Sequence, residues 1–131
     1  MRIASLTGLS GSGKTTLITQ LIRHFIGQGE SVGAIKHTHH PLNEDHRGDT
    51  ARFREAGAEP VILAGDREAV LFKATTTERI AYETPRELIA HFDTDVVLIE
   101  GFKELGGIEI RADARPPLEE LIQILDRIWS R

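Results

Sequence analysis

The chain opens with a short apolar run, Ile3-Ala4-Ser5-Leu6-Thr7, followed at once by a glycine-rich turn. Its length and position predict a strand. From Thr16 to Ile26 the period changes, with apolar residues at 17, 18, 21, 22, 25 and 26, the spacing of one helical face. Gly27 and Gly29 flank Gln28 and predict the end of that helix. Ser31-Val32-Gly33-Ala34-Ile35-Lys36 is again short and apolar, which predicts a second, buried strand. A parallel strand–helix–strand unit with a right-handed crossover follows.

The pattern then loosens. His37 to Gly48 is polar and broken by Pro41, a loop leaving the carboxyl end of its strand, where open α/β sheets place ligands. Asp49 reads as the N-cap of a short helix through Ala56, closed by Gly57. Pro60–Ala64 and Ala69–Phe72 are apolar runs joined by Gly65-Asp66-Arg67-Glu68, the mark of an antiparallel hairpin. Thr84-Pro85-Arg86-Glu87 is a capping box with proline at the first helical position, and Leu88, Ile89 and Phe92 form the buried side. Asp95 to Gly101 is a β-branched run ending in Glu100, which predicts a fully buried central strand. Gly106-Gly107 turns into an alternating, more exposed strand at Ile108–Arg111. Pro116-Pro117 starts a last helix with Leu118, Leu121, Ile122, Leu125, Ile128 and Trp129 on one face. The class is α/β: a mostly parallel sheet between helices in three layers, with an appended antiparallel hairpin.

The turn after the first strand carries the chemistry. Gly8-Leu9-Ser10-Gly11-Ser12-Gly13-Lys14-Thr15 matches G-x-x-x-x-G-K-[ST] at every fixed position, between a strand and a helix as the motif requires. The glycines let successive N–H groups point at an anion, and the helix adds its N-terminal partial charge. Lys14 is then placed for the β- and γ-phosphates, the Thr15 hydroxyl for Mg²⁺, and Thr16 for the α-phosphate. The three-layer fold is therefore expected to be that of the P-loop NTPases, in a single domain over residues 1–131.

Binding nucleotide with Mg²⁺ also needs an acidic residue at a neighbouring strand end. Glu100 is suited to it, because a charge closing a buried strand is costly unless it faces a cleft or metal. Asp49 and Asp45 are candidates for a second Mg²⁺ contact or for positioning water, against plainer roles as helix cap and solvated loop residue. Lys36 ends its strand on the ligand side, and can either neutralise phosphate or face solvent. Of the six histidines, His37, His39, His40 and His46 fall within one loop, a set that suits Zn²⁺ or Ni²⁺ as well as the lining of an anionic pocket.

Composition narrows the partners. A net charge of −4 argues against a broad nucleic-acid footprint. No apolar run reaches membrane-spanning length, and the absence of cysteine excludes disulfides and thiolate metal sites. With the first strand starting at the N-terminus and no room for a signal peptide, the expected location is cytoplasmic.

Taken with the phosphate loop, Lys36-His37-Thr38-His39-His40, Gly48-Asp49-Thr50, Arg54-Glu55-Ala56-Gly57-Ala58 and Glu100-Gly101-Phe102-Lys103 make the chain resemble the MobB family, molybdopterin-guanine dinucleotide biosynthesis protein B. The motifs occur in the family's order over residues 1 to about 111. The resemblance implies a GTP-binding protein that assists attachment of GMP to molybdopterin beside a MobA-like transferase. It implies a homodimer and at most slow GTP hydrolysis, with Lys14, Asp49 and Glu100 as the catalytic set. Asp49 corresponds to the aspartate opening the family's A-G-A helix, and Glu100 to the glutamate of E-G-F-K. The loop before Asp49 is shorter than in the family: Asp45-His46-Arg47-Gly48-Asp49-Thr50 stands where members usually read Asp-x-Pro-Gly-Lys-Asp-Ser, and the proline and the lysine are absent. Arg111 runs almost directly into the last helix, where family members usually insert another core strand. The rival readings are a GTP-dependent metallochaperone using the histidine loop, a small-molecule kinase, and a docking subunit without catalysis.

Overall fold

A computed structural model describes residues 1–7, 13–42, 48–102, 105 and 117–130, and the backbone of 108–111. In chain order the elements are β1 (Arg2–Thr7), α1 (Lys14–Gly27), β2 (Val32–His37), α2 (Asp49–Glu55), β3 (Val61–Ala64), β4 (Glu68–Phe72), β5 (Thr77–Ala81), α3 (Arg86–Ile89), β6 (Val96–Glu100), β7 (Ile108–Arg111) and α4 (Leu118–Trp129). They form a seven-stranded sheet in the order β5-β4-β3-β2-β6-β1-β7. From β3 to β7 the neighbours are parallel, and β4 and β5 continue the sheet antiparallel.

The two faces of the sheet follow from the two-residue period of a strand. On β6, Val96 and Leu98 point into one core with Ile18, Leu21, Ile22 and Phe25 of α1, Phe53 of α2, and Leu121 and Leu125 of α4. Val97 and Ile99 point the other way, to Ile35, Ile62, Leu88, Phe92, Tyr82 and Phe102. All five residues of β6 are buried, as expected for the central strand. Each fully buried side chain of this size stabilises the fold by about 1.5–3 kcal/mol. The helices thus lie on both faces, with α1, α2 and α4 on one and the short α3 on the other.

Most sequence expectations hold, and the departures have physical reasons. The Pro60–Ala64 and Ala69–Phe72 runs do pair antiparallel, but β3 is also the outer parallel neighbour of β2, so the hairpin extends the core sheet. A further strand, β5, was not expected, because Thr77-Glu78-Arg79-Ile80-Ala81 lacks a buried alternation; it is held by edge pairing to β4. Half of the capping box forms: Glu87 Oε2 accepts from the Thr84 and Glu83 amides at 2.6 and 2.7 Å, while no side chain caps the start of α3. β7 pairs parallel with β1, and the exposure of its side chains lies outside the described residues. So do the Gly106-Gly107 turn and Pro116. Among the described residues, no helix is long and apolar enough to cross a membrane.

Candidate functional site

The carboxyl ends of β1, β2 and β6 converge on the amino end of α1. Gly13, at φ 93°, is the residue before α1, and its carbonyl accepts the Leu17 amide at 3.0 Å. That left-handed backbone suits glycine and aims the first turn of the helix into the cleft. Gly8, Leu9, Ser10, Gly11 and Ser12, the rest of the expected phosphate loop, lie outside the described residues, as do Asp45 and His46.

Four side chains from four elements meet at this point. β2 and β6 pair in parallel with Lys36 directly opposite Glu100, which puts both on the α1 side of the sheet. Lys36 Nζ donates to Glu100 Oε2 at 2.8 Å and also bonds Asp49 Oδ2. The Thr15 hydroxyl, in the first turn of α1, lies 2.9 Å from Glu100 Oε1 and 3.3 Å from Asp49 Oδ2. The two carboxylates are buried, at 4% and 5% exposure, and Lys36 is nearly so. Desolvation works to lower the Lys36 pKa, but hydrogen bonds to Asp49 and Glu100 and their charges outweigh it and leave it above 10.5. The pair of carboxylates therefore already attracts and holds a cation.

Asp49 is not the N-cap that the sequence suggests. Gly48, at φ 66°, precedes the helix without a side-chain cap, and Asp49 is the first residue of α2. Its carboxylate turns inward instead, because Lys36 and Thr15 offer charge-assisted partners that a backbone cap does not. Asp49 Oδ1 is buried and accepts no hydrogen bond among the described residues. The Arg52 guanidinium stands 3.6 Å from it, one helical turn on. One hydroxyl and two carboxylates, one of them with an unsatisfied buried oxygen, make a hard donor set of the kind Mg²⁺ takes.

The cleft around this cluster has a volume of about 390 Å³. Lys14, Thr15 and Thr16 form its α1 wall, with Lys36, Asp49 and Glu100 at its base. Thr16 is exposed there. His37, His39 and His40 line the opposite wall. Sequence reading missed Arg52 in this cleft; its one signal was the three-residue spacing from Asp49 on an expected helix.

Gly101 follows Glu100 at φ 117°, and a Cβ there would lie 2.8 Å from His37 Cβ. Glycine thus lets the chain leave β6 close against the end of β2. His37 points to the opposite face from Lys36 and stacks on Phe102, with ring centroids 4.1 Å apart and planes 14° apart. Its Nε2 is 3.6 Å from Asp66 Oδ1, and His39 Nδ1 is 3.7 Å from the same oxygen. Asp66, in the β3–β4 turn, was read from sequence only as a turn residue.

A parallel sheet whose first strand leads to a glycine-preceded helix, with acidic side chains from α2 and β6 facing that helix's first turn, defines a P-loop fold. The family model described as "MobB: Molybdopterin guanine dinucleotide synthesis protein B" matches residues 3–125, and the chain belongs to that family. It is 40% identical over 127 residues to a molybdopterin-guanine dinucleotide biosynthesis adapter protein of Haemophilus influenzae, covering 91% of this chain and 68% of the relative. The adapter protein of the same name in Escherichia coli is 39% identical, over 86% and 67% of the two chains. A putative one from Methanocaldococcus jannaschii is 37% identical over 79% of this chain, which spans only 42% of that relative. A crystal structure of Bacillus subtilis MobB superposes with a TM-score of 0.51 at 28% identity, over 85% of this chain and 67% of that one.

Proposed function

We propose that the cleft binds a guanine nucleotide with Mg²⁺, and that the chain serves as an adapter in making molybdopterin guanine dinucleotide. Lys14 and the helix start would hold phosphate oxygens. Thr15, Glu100 and Asp49 would hold Mg²⁺, which when bound would neutralise charge on the β- and γ-phosphates. The carrying observation is the Thr15 hydroxyl between the Glu100 and Asp49 carboxylates, with Lys36 already neutralising the pair. In this reading Lys36 yields its carboxylate partners to Mg²⁺ and turns toward phosphate, since both cations seek the same oxygens.

The adapter role rests on family membership and on the names of the relatives. It implies a cytoplasmic setting, a homodimer, and contact with a MobA-like transferase carrying molybdopterin. Any hydrolysis is slow, with Lys14, Asp49 and Glu100 as its polar groups. Calorimetric titration with GTP and ATP, with and without Mg²⁺, tests the reading. The expected result is GTP binding that Mg²⁺ tightens at least ten-fold, a gain lost in Glu100→Gln. Equal affinity with and without Mg²⁺ would remove the metal from the reading, and absence of GTP binding would remove the nucleotide.

A further inference from the structure

We infer that His37, His39 and Asp66 form a second metal site, specific for a divalent transition ion such as Zn²⁺ and separate from the Mg²⁺ position. One ligand atom from each residue lies within 4.8 Å of the others. The two imidazoles stand 3.6 and 3.7 Å from a single carboxylate oxygen. A tetrahedral Zn²⁺ with bonds of about 2.0–2.2 Å sets its ligands roughly 3.3 Å apart, so each imidazole needs a few tenths of an ångström of closure on the carboxylate, and the two imidazole nitrogens, within 4.8 Å of each other, draw together by rotation of the exposed His39. His39 and Asp66 are both 81% exposed and free to make that adjustment.

The third ligand is held in place before any ion arrives. His37 is stacked on Phe102 and backed by Gly101, which fixes the plane of its ring. The next residue, Thr38, donates its amide to Ala64 O at 2.8 Å, tying the end of β2 to the end of β3 just before Asp66. The turn bearing Asp66 is clamped as well. Gly65 N donates to Glu68 O at 2.8 Å, Tyr82 N donates to Arg67 O at 2.8 Å, and the buried Tyr82 hydroxyl bonds Gly65 O. Glu68, the nearest other carboxylate in the turn, is paired with Arg79 at 3.0 Å.

Donor chemistry separates this site from its neighbour. Two imidazoles and one carboxylate favour Zn²⁺, Ni²⁺ or Co²⁺, whereas the all-oxygen set of Thr15, Asp49 and Glu100 favours Mg²⁺. Three protein ligands leave a fourth position for water or an anionic ligand, and His37 and His39 both line the cleft from which one would come. The site does not depend on the nucleotide reading, since no residue is shared between the two donor sets.

The test uses untagged, full-length protein freed of metal and titrated with Zn²⁺ against a chromophoric chelator, with Co²⁺ absorption as a second readout. One equivalent of Zn²⁺ is expected at micromolar affinity or tighter, with Co²⁺ giving the intense visible bands of a four-coordinate site. His39→Ala and Asp66→Asn, both at exposed positions, are each expected to weaken Zn²⁺ at least ten-fold, and Asp66→Asn, which lies outside the nucleotide cleft, to leave GTP affinity unchanged. Binding that both variants leave intact, binding weaker than millimolar, or loss of Zn²⁺ only in Asp49→Asn would overturn the assignment.

Discussion

Lys36 and His37 are consecutive residues of one strand, and they sit in opposite physical worlds. Lys36 faces α1 and α2, where a lysine, two carboxylates and a hydroxyl are packed away from water and bonded to one another. His37 faces the other side, where a half-buried imidazole meets an exposed histidine and an exposed aspartate at distances just too long for hydrogen bonds. Burial makes the first cluster rigid, because each charge there depends on the others for solvation. Exposure leaves the second loose, so that its groups lose little by rearranging around an ion. The same alternation that separates the two hydrophobic cores therefore separates a charge-locked cluster from an adaptable one.

The largest expected effect comes from breaking the lock. Lys36→Met leaves Asp49 and Glu100 facing each other without the ammonium that bonds both, with Arg52 remaining 3.6 Å from Asp49 alone, and is expected to cost about 3 kcal/mol of stability by denaturant unfolding. Mg²⁺ should restore part of that loss and stabilise the variant more than it stabilises the native chain. If the variant were as stable as the native protein, the cluster would not be coupled as its hydrogen bonds imply.

A somewhat smaller loss is expected at the proposed phosphate contact. Lys14→Ala removes one charge-assisted hydrogen-bonding group worth about 2 kcal/mol, roughly a thirty-fold loss in GTP affinity by calorimetry. The fold should be retained, since Lys14 opens its helix at the cleft and forms no part of either hydrophobic core.

The locked side should also answer to alkali. The Lys36 pKa is raised in the folded protein, so its stabilisation is complete below the unfolded value of about 10.5 and is lost as pH rises through the folded value. Denaturation midpoints measured at pH 9 and about pH 11.5 should fall further for the native protein than for Lys36→Met. Parallel declines would mean that the lysine gains nothing from its partners. The loose side gives the smallest effect: His39→Ala should change stability by less than about 0.5 kcal/mol, as expected for an exposed side chain, while changing Zn²⁺ binding.

How much of this was legible in the sequence differs between the two sides. Glu100 could be identified because an unbroken apolar run leads up to it, and a charge at the end of such a run must be stabilised by something. Lys36 was equivocal, because a strand-end lysine can equally face water; the register opposite Glu100, set by residues 64 positions away, decides it. Asp49 was read as a cap, since its local sequence gives no sign of Thr15 and Lys36 lying beneath it. The pairing of His37 and His39 with Asp66 was invisible for the same reason, requiring the parallel alignment of β2 with β3. The histidine loop was noticed but its third ligand was not. The long parallel strands and α1 were readable because their periodicity is local, whereas β5 owes its form to a neighbouring strand.

β1 and β2 are consecutive in the chain but are not partners in the sheet, because β6 occupies the gap between them. On a ribosome the glycine-rich turn is thus made well before the acid that would complete the proposed cation site. That acid, Glu100, is delivered by the strand that closes the gap. Completion of the proposed ligand site and completion of the central sheet are therefore a single event, and a nascent chain ending before residue 96 should be blind to nucleotide-bound magnesium however long it is allowed to fold.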